Sequence, residues 1–279
     1  MYQFVKNTLN AISYIGRRAG VVALLCLGAS HADALEPIVS DDDAPRLTPH
    51  EAEYNVKISG IGGVLTTRLA LDSDGRYNAT HTVRPTGLAR LIAGRGRIAE
   101  QSLFHVESGA LVPHRYQSND QLSREKGTID LTFDVKAQRL EGVVSLDDAA
   151  EAAVDEAMTD PLFDRVSFQY QLMLDLLIEA KGSDASSSTA QDTYVIFDAD
   201  GNKTLEITRI GERMIRFRGD TLSALGVRQQ SPGSSRKTEL WLAPALDFAP
   251  TLIEQYRKEK LKLRAVLRDY APLAVSARD

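Results

Sequence analysis

Cysteine is nearly absent. The chain of 279 residues has one, Cys26. It lies in a leader expected to be removed, which excludes disulfides, thiol catalysis and thiolate metal sites from the rest. Histidine is scarce too. Beyond the leader stand His50, His81, His105 and His114, and no compact ligand cluster surrounds them. A basic excess is also missing: 33 Lys and Arg face 38 Asp and Glu. Loss of residues 1–34 removes Lys6, Arg17, Arg18 and Asp33, leaving a net charge of −7. That balance argues against a general binder of nucleic acid or anionic membranes. After the leader, no apolar run is long enough to span a membrane as a helix.

The motifs of familiar chemistries are incomplete. Gly219-Asp220-Thr221-Leu222-Ser223 does not fit the G-x-S-x-G elbow. Gly94-Arg95-Gly96-Arg97 lacks the Lys-Ser/Thr ending of a phosphate loop. Asp72-Ser73-Asp74-Gly75 opens like a calcium loop but lacks the remaining ligands and the distal Glu. The sequence therefore implies no cofactor and no metal.

What is present begins with an export signal. Lys6, Arg17 and Arg18 precede the short apolar run Ala19 to Ala29, and Ala32-Asp33-Ala34 fits a small-x-small cleavage site. The expected organisation is a signal peptide over 1–34, a flexible acidic and proline-rich leader over 35–49, one domain over 50–270 and a tail over 271–279. Leu24-Leu25 before Cys26 argues against lipidation, which wants a small residue there.

The domain reads as strand after strand. Tyr54, Val56 and Ile58 alternate with polar residues, and Ile129, Leu131 and Phe133 do the same. About 13–14 such segments recur at roughly 8–12-residue spacing, joined by turns too short for parallel crossovers. Asp147 to Met158, rich in acid and alanine, reads as a short exposed helix or loop. Thr204 to Ile210 and Arg213 to Arg218 read as two strands divided at Gly211.

One helix is expected, over about 160–181. Asp160 can cap it, Pro161 suits its first position, and Lys181-Gly182 can stop it. Leu162, Val166, Tyr170, Met173 and Leu177 recur at helical spacing. Asp164, Gln171, Asp175 and Glu179 supply a polar side, where Gln171→Asp would cost little. The fold class is mainly β: a curved antiparallel sheet or partly closed, spiral β-barrel, with this amphipathic helix packed against it.

The order of these pieces resembles the domain of unknown function 3108 family. The resemblance runs from about Glu53 to Arg268. Its marks are Tyr54-x-Val56-x-x-x-Gly60, Gly87-Leu88-Ala89 before the basic stretch, the run Ser108 to Tyr116, Phe133-Asp134, the helix segment Pro161 to Leu172, and Leu240-Trp241-Leu242-Ala243 with Pro250. The resemblance implies an exported bacterial envelope protein rich in antiparallel strands. It implies no reaction and no catalytic residue.

Four constellations remain. Arg84, Arg90, Arg95 and Arg97 form a basic cluster that could grip a lipid phosphate or acidic glycan, or pair with nearby carboxylates. Phe168, Tyr170, Trp241 and Tyr256 could line a cleft between helix and sheet, or serve as ordinary core. His105 and His114 flank the Ser108-Gly109 turn as diagonal neighbours, about 7–8 Å apart at the backbone, with Glu107 on the same face. A solvated hairpin face is the simpler account of them. Asp164 and Asp175, eleven residues apart, lie near the same helix face, where solvation or helix–sheet hydrogen bonding is a better account than acid–base chemistry.

The function expected is a non-enzymatic periplasmic envelope protein that binds a hydrophobic or amphipathic ligand, or a protein partner, through its curved sheet. The partner would be an envelope lipid, glycan or protein, with no nucleic acid and no integral membrane segment after cleavage. The alternatives are an enzyme using paired carboxylates on an envelope glycan or lipid, and a structural interaction module.

Overall fold

Side-chain alternation along the strands gives this chain a sheet with two unlike faces. The computed structural model describes residues 46–58, 61–87, 96–122, 126–146, 150–158, 161–182, 193–198 and 201–274. The expected signal peptide with its cleavage site, the leader as far as residue 45, Arg90 and Arg95 lie outside the described residues.

Eight strands come first: β1 (His50–Ile58), β2 (Ile61–Leu71), β3 (Arg76–Pro85), β4 (Ile98–Glu107), β5 (Ala110–Asp120), β6 (Gly127–Asp134), β7 (Arg139–Leu146) and β8 (Ala152–Ala157). Helix α1 (Ser167–Lys181) follows. Then come β9 (Thr193–Asp198), β10 (Gly201–Phe217), β11 (Asp220–Gln230), β12 (Arg236–Ala243), β13 (Ala249–Arg257) and β14 (Lys260–Pro272). All fourteen form one antiparallel sheet in the order 8-7-6-5-4-3-2-1-14-13-12-11-10-9. Consecutive strands are neighbours in the sheet except β8 and β9, which lie at its two edges, and β1 pairs with β14 to join the two ends of the domain, with Val56 opposite Ala265. The outermost strands are β8 and β9, so the sheet is not closed.

The inner face carries the core. Ala52, Tyr54 and Val56 of β1 and Ile129, Leu131 and Phe133 of β6 are all buried on it. The helix lies against this face. Phe168, Leu172, Leu174 and Leu176 are almost fully buried, and so are the polar residues Asp164, Gln171 and Asp175. The expected polar side of the helix is therefore an interior side. Gln171 faces the β4–β5 hairpin, where its Oε1 accepts the Leu111 N–H at 2.6 Å. Asp175, one turn on, accepts the Gln171 amide at 2.7 Å and the Tyr194 hydroxyl of β9. Glu179, the last of the expected polar residues, is half-exposed and pairs with Arg209.

The helix also starts later than expected. Asp164 holds its first turn: one carboxylate oxygen accepts the N–H groups of Val166 and Ser167, each at 2.8 Å; Asp160, the expected cap, lies outside the described residues. The residues before it run extended along β9. The Phe163 N–H donates to the Val195 carbonyl at 3.0 Å, and the Phe197 N–H to the Phe163 carbonyl at 2.8 Å. This parallel bridge covers backbone groups that an edge strand would expose.

Four further expectations change. Residues 152–157 form strand β8 rather than a helix or loop, tied to β7 by Arg139, which bonds both Glu141 and Asp155. The two strands expected around Gly211 are one 17-residue strand, β10. Gly211 adopts a φ of +100°, and the register with β11 shifts there, so the bulge passes through a residue without a Cβ. The flexible leader ends before Leu47, which is 2% exposed and whose carbonyl accepts the Tyr77 hydroxyl at 3.1 Å. The tail likewise begins later than 271: β14 continues to Pro272, and the Leu273 N–H bonds the Pro49 carbonyl.

Candidate functional site

The ladder register decides what faces the helix. Thr67, His81 and Glu100 form one cross-strand row on β2, β3 and β4. One step toward the Ile58 end of β1, the row reads Tyr54, Leu65, Val83, Ile98 and Asp120. A polar row is thus followed by a mainly apolar one. The first half of α1 stands over both rows without filling the space between. A cavity of about 380 Å³ remains. Val56, Ile58, Ile253, Leu263 and Ala265 add apolar wall from the sheet, and Gln169, Tyr170 and Met173 close it from the helix.

Its polar end holds neutral groups. His81 is 8% exposed, and burial pushes its pKa down to about 4. Its Nε2 lies 3.4 Å from the Tyr170 hydroxyl. Burial raises the Tyr170 pKa, so that hydroxyl keeps its proton. His50 donates from Nδ1 to the Thr48 carbonyl at 2.8 Å and stacks on Tyr270, and burial lowers its pKa as well. The charged pair of the wall is Glu100 and Arg165, 2.7 Å apart. The Tyr116 hydroxyl donates to Glu100 at 2.6 Å. Burial works against the Arg165 charge, but Glu100, Tyr116 and Asp198 outweigh it and raise its pKa. Arg165 therefore keeps its charge beside Glu100.

The expected cleft residues divide between the two faces. Tyr170 lines the cavity. Phe168 packs edge-on against Tyr194 in the core. Trp241 and Tyr256 lie on the outer face. Leu240 and Leu242 turn inward, so strand alternation sends Trp241 out, where it packs on Leu252 and Ile215 beneath the Arg213 guanidinium. Tyr256 sits on that face under Lys237 and bonds Glu254.

Two of the four cluster arginines come together. Arg84 and Arg97 line one recess of about 710 Å³ on the outer face, with Thr66, Thr86 and Gln121. Glu53 is on the same recess but is held by Arg268 at 2.6 Å. Among the described residues, neither Arg84 nor Arg97 forms an ion pair.

His105 and His114 meet more closely than diagonal neighbours need to. Nδ1 of one lies 2.7 Å from Nε2 of the other, with the rings stacked. Glu107 is 3.7 Å from the His105 ring. Among the described residues, no group of three or more side chains could hold a metal ion. Asp164 and Asp175 are both occupied. Asp164 caps the helix and accepts Ser102, while Asp175 accepts Tyr194 and Gln171. Burial raises both pKa values.

Sequence reasoning passed over His50, His81, Glu100 and Arg165. The signal for two of them was there. His50 shares strand parity with Ala52, Tyr54 and Val56, and His81 with Tyr77 and Ala79, so both belong on the buried face.

The family model described as protein of unknown function (DUF3108) matches residues 53–259. No curated protein matches the chain. Among solved structures, the chain is similar to a β-barrel-like protein of domain of unknown function DUF1849 from Brucella abortus. The identity is 14% and the TM-score 0.50, covering 83% of this chain and all of that one. That likeness supports the fold. Similarity to the crystal structure of MucB is 12% in identity with a TM-score of 0.31, covering 84% of this chain and 57% of that one. Among the described residues, no helix is long and apolar enough to cross a membrane.

Proposed function

The chain belongs to the DUF3108 family of proteins of unknown function, and on that footing we propose that it is a periplasmic, non-enzymatic protein that binds an amphipathic molecule between α1 and the inner face of the sheet. The observation that carries this reading is the graded wall of the cavity. At about 380 Å³ it falls near the small end of the roughly 300–1,000 Å³ of ligand sites. That suits a single apolar chain or small ring system. The polar row offers uncharged partners: Thr67, neutral His81 and the Tyr170 hydroxyl. An uncharged hydroxyl or carbonyl of the ligand would sit there, since a bare charge would be desolvated without a free counter-ion. The carboxylates most exposed to this reasoning, Glu100, Asp164 and Asp175, are committed to structural hydrogen bonds, which favours binding over acid–base chemistry.

Native mass spectrometry of protein taken from its own periplasm tests the reading, together with binding of a fluorescent fatty acid. The wild type should carry an apolar ligand and bind the probe. Ala265→Phe fills the cavity from a wholly buried position, and Leu263→Trp fills it from a half-buried one that tolerates bulk. Both should lose the probe while unfolding cooperatively. A wild type without ligand or probe binding would remove the proposal.

A further inference from the structure

The cavity's apolar row leads toward one end of the sheet, and the chemistry of that end is unlike the rest of the surface. Ile58 ends β1, Ile61 begins β2 directly opposite it, and Leu263 of β14 pairs with Ile58 on the other side. Leu261 stands at the tip of the β13–β14 hairpin, opposite Tyr256, where a register shift next to Leu263 interrupts the alternation. Ile58, Ile61 and Leu261 are 41%, 38% and 46% exposed, large values for such side chains. An apolar row therefore runs out of the cavity through Leu263 and Ile58 to Ile61, and Leu261 exposes a further apolar side chain at the tip of the adjoining hairpin.

The same tips are basic. Lys57, Arg84, Arg97, Lys258 and Lys260 are exposed there, and among the described residues none forms an ion pair. Glu259, in the same turn, is neutralised by Lys237 at 2.7 Å. At the opposite ends of these strands the turns carry Asp72, Asp74, Glu107 and Asp247. The protein is acidic as a whole, but its charge is sorted along the strands. The overall balance, which argues against an anionic surface as partner, does not describe this end.

We propose that the tips of the β1–β2 and β13–β14 hairpins, with the adjoining ends of β3 and β4, dock on an anionic lipid bilayer, with Ile58, Ile61 and Leu261 entering the interface and the basic groups meeting lipid phosphates. Exposed apolar side chains beside unpaired Lys and Arg are what such a surface attracts. A protein partner would be an equally apolar target but would not call for this group of unpaired cations around the tips. Resting on the cavity reading, the docked orientation sets the cavity's apolar end against the bilayer, so that a single-chain amphiphile passes between them without crossing water.

The test is co-sedimentation with vesicles, using phosphatidylcholine alone and phosphatidylcholine with phosphatidylglycerol in equal parts. The wild type should bind the anionic vesicles and lose them as salt rises. The combined variant Lys57→Gln, Arg84→Gln, Arg97→Gln, Lys260→Gln should bind at least about tenfold more weakly, since each basic group near an anionic surface is worth roughly fivefold. Ile58→Asp with Leu261→Asp should lose binding with an unchanged melting temperature, because both sites are exposed. Met214→Asp, an exposed apolar position elsewhere on the sheet, should change nothing. All variants share one N-terminus, so differences among them report on the tips. Equal binding to both vesicle types, or variants that bind like the wild type, would overturn the proposal. Ala265→Phe separates the two readings: it should keep vesicle binding while losing the fluorescent fatty acid.

Discussion

Gln171 is where the polar side of the helix can be tested most directly. Its side chain bridges two elements. Oε1 accepts the Leu111 N–H at 2.6 Å, and Nε2 donates to Asp175 at 2.7 Å. The first bond matters because β5 has no β6 neighbour at Leu111; the β5–β6 ladder starts at Arg115. Gln171→Leu leaves that buried N–H without an acceptor and takes a donor from Asp175. An unmet buried group costs about 1–3 kcal/mol, more when the group is charged. The two together come to about 2–5 kcal/mol, partly offset by the apolar area the leucine buries. Gln171→Glu keeps an acceptor for Leu111 but sets a second carboxylate against Asp175, and two carboxyls that close cannot both ionise. Their folded pKa values rise above the unfolded ones, so the folded state binds more protons as pH falls. The sign of the linkage then requires the penalty of Gln171→Glu to shrink on acidification from neutral pH into the carboxylate range. Urea unfolding of wild type, Gln171→Leu and Gln171→Glu across that range measures all of this. A Gln171→Leu loss under about 0.5 kcal/mol, the scale of an ordinary surface change, would refute the buried bridge. So would a Gln171→Glu penalty independent of pH.

Burial of a histidine and the expected export signal each give a further test. His81 titrates at about 4 when folded, against 6.5 for an ordinary histidine, so unfolded chains take up protons first; stability should fall as pH drops from 6.5 toward 4, by roughly 3 kcal/mol in full. His81→Gln should remove that part of the pH slope, and an unchanged difference between the two proteins over this window would contradict it. N-terminal sequencing of the periplasmic form should begin at Leu35, after cleavage at Ala34; a retained N-terminus in the membrane fraction would reject the leader as a cleaved signal.

Much of the fold is a local matter and was legible as such. Period-two alternation in Tyr54–Ile58 or Ile129–Phe133 assigns strand and face without any knowledge of the partner strand, and short turns imply antiparallel neighbours. The existence of one helix followed from Leu, Met and Tyr at helical spacing. Its boundaries did not, because Pro161–Phe163 is drawn into a bridge with β9 that no local pattern announces. Residues 152–157 have a helix-like composition and become a strand because β7 offers an edge. Propensity yields to that pairing.

The site was less legible, since it depends on contacts between distant residues. Local pattern was enough to put Arg84 and Arg97 beside a break between strands and Tyr170 on a helix, and the strand parity of His50 and His81, though passed over, lay in it too. It could not say that Trp241 leaves the cleft, since both parities of Leu240-Trp241-Leu242 are apolar. It could not say that Gln171 and Asp175 are interior, because a polar stripe reads as solvated until something covers it. The β1–β14 pairing, more than 200 residues apart in sequence, brings Ile58 beside Leu263. That pairing and the seating of α1 over the inner face create the cavity, its apolar exit and the basic tips around it. Alternation is a property of a few consecutive residues, whereas a cavity is a property of which surfaces meet, and only the tertiary structure decides that.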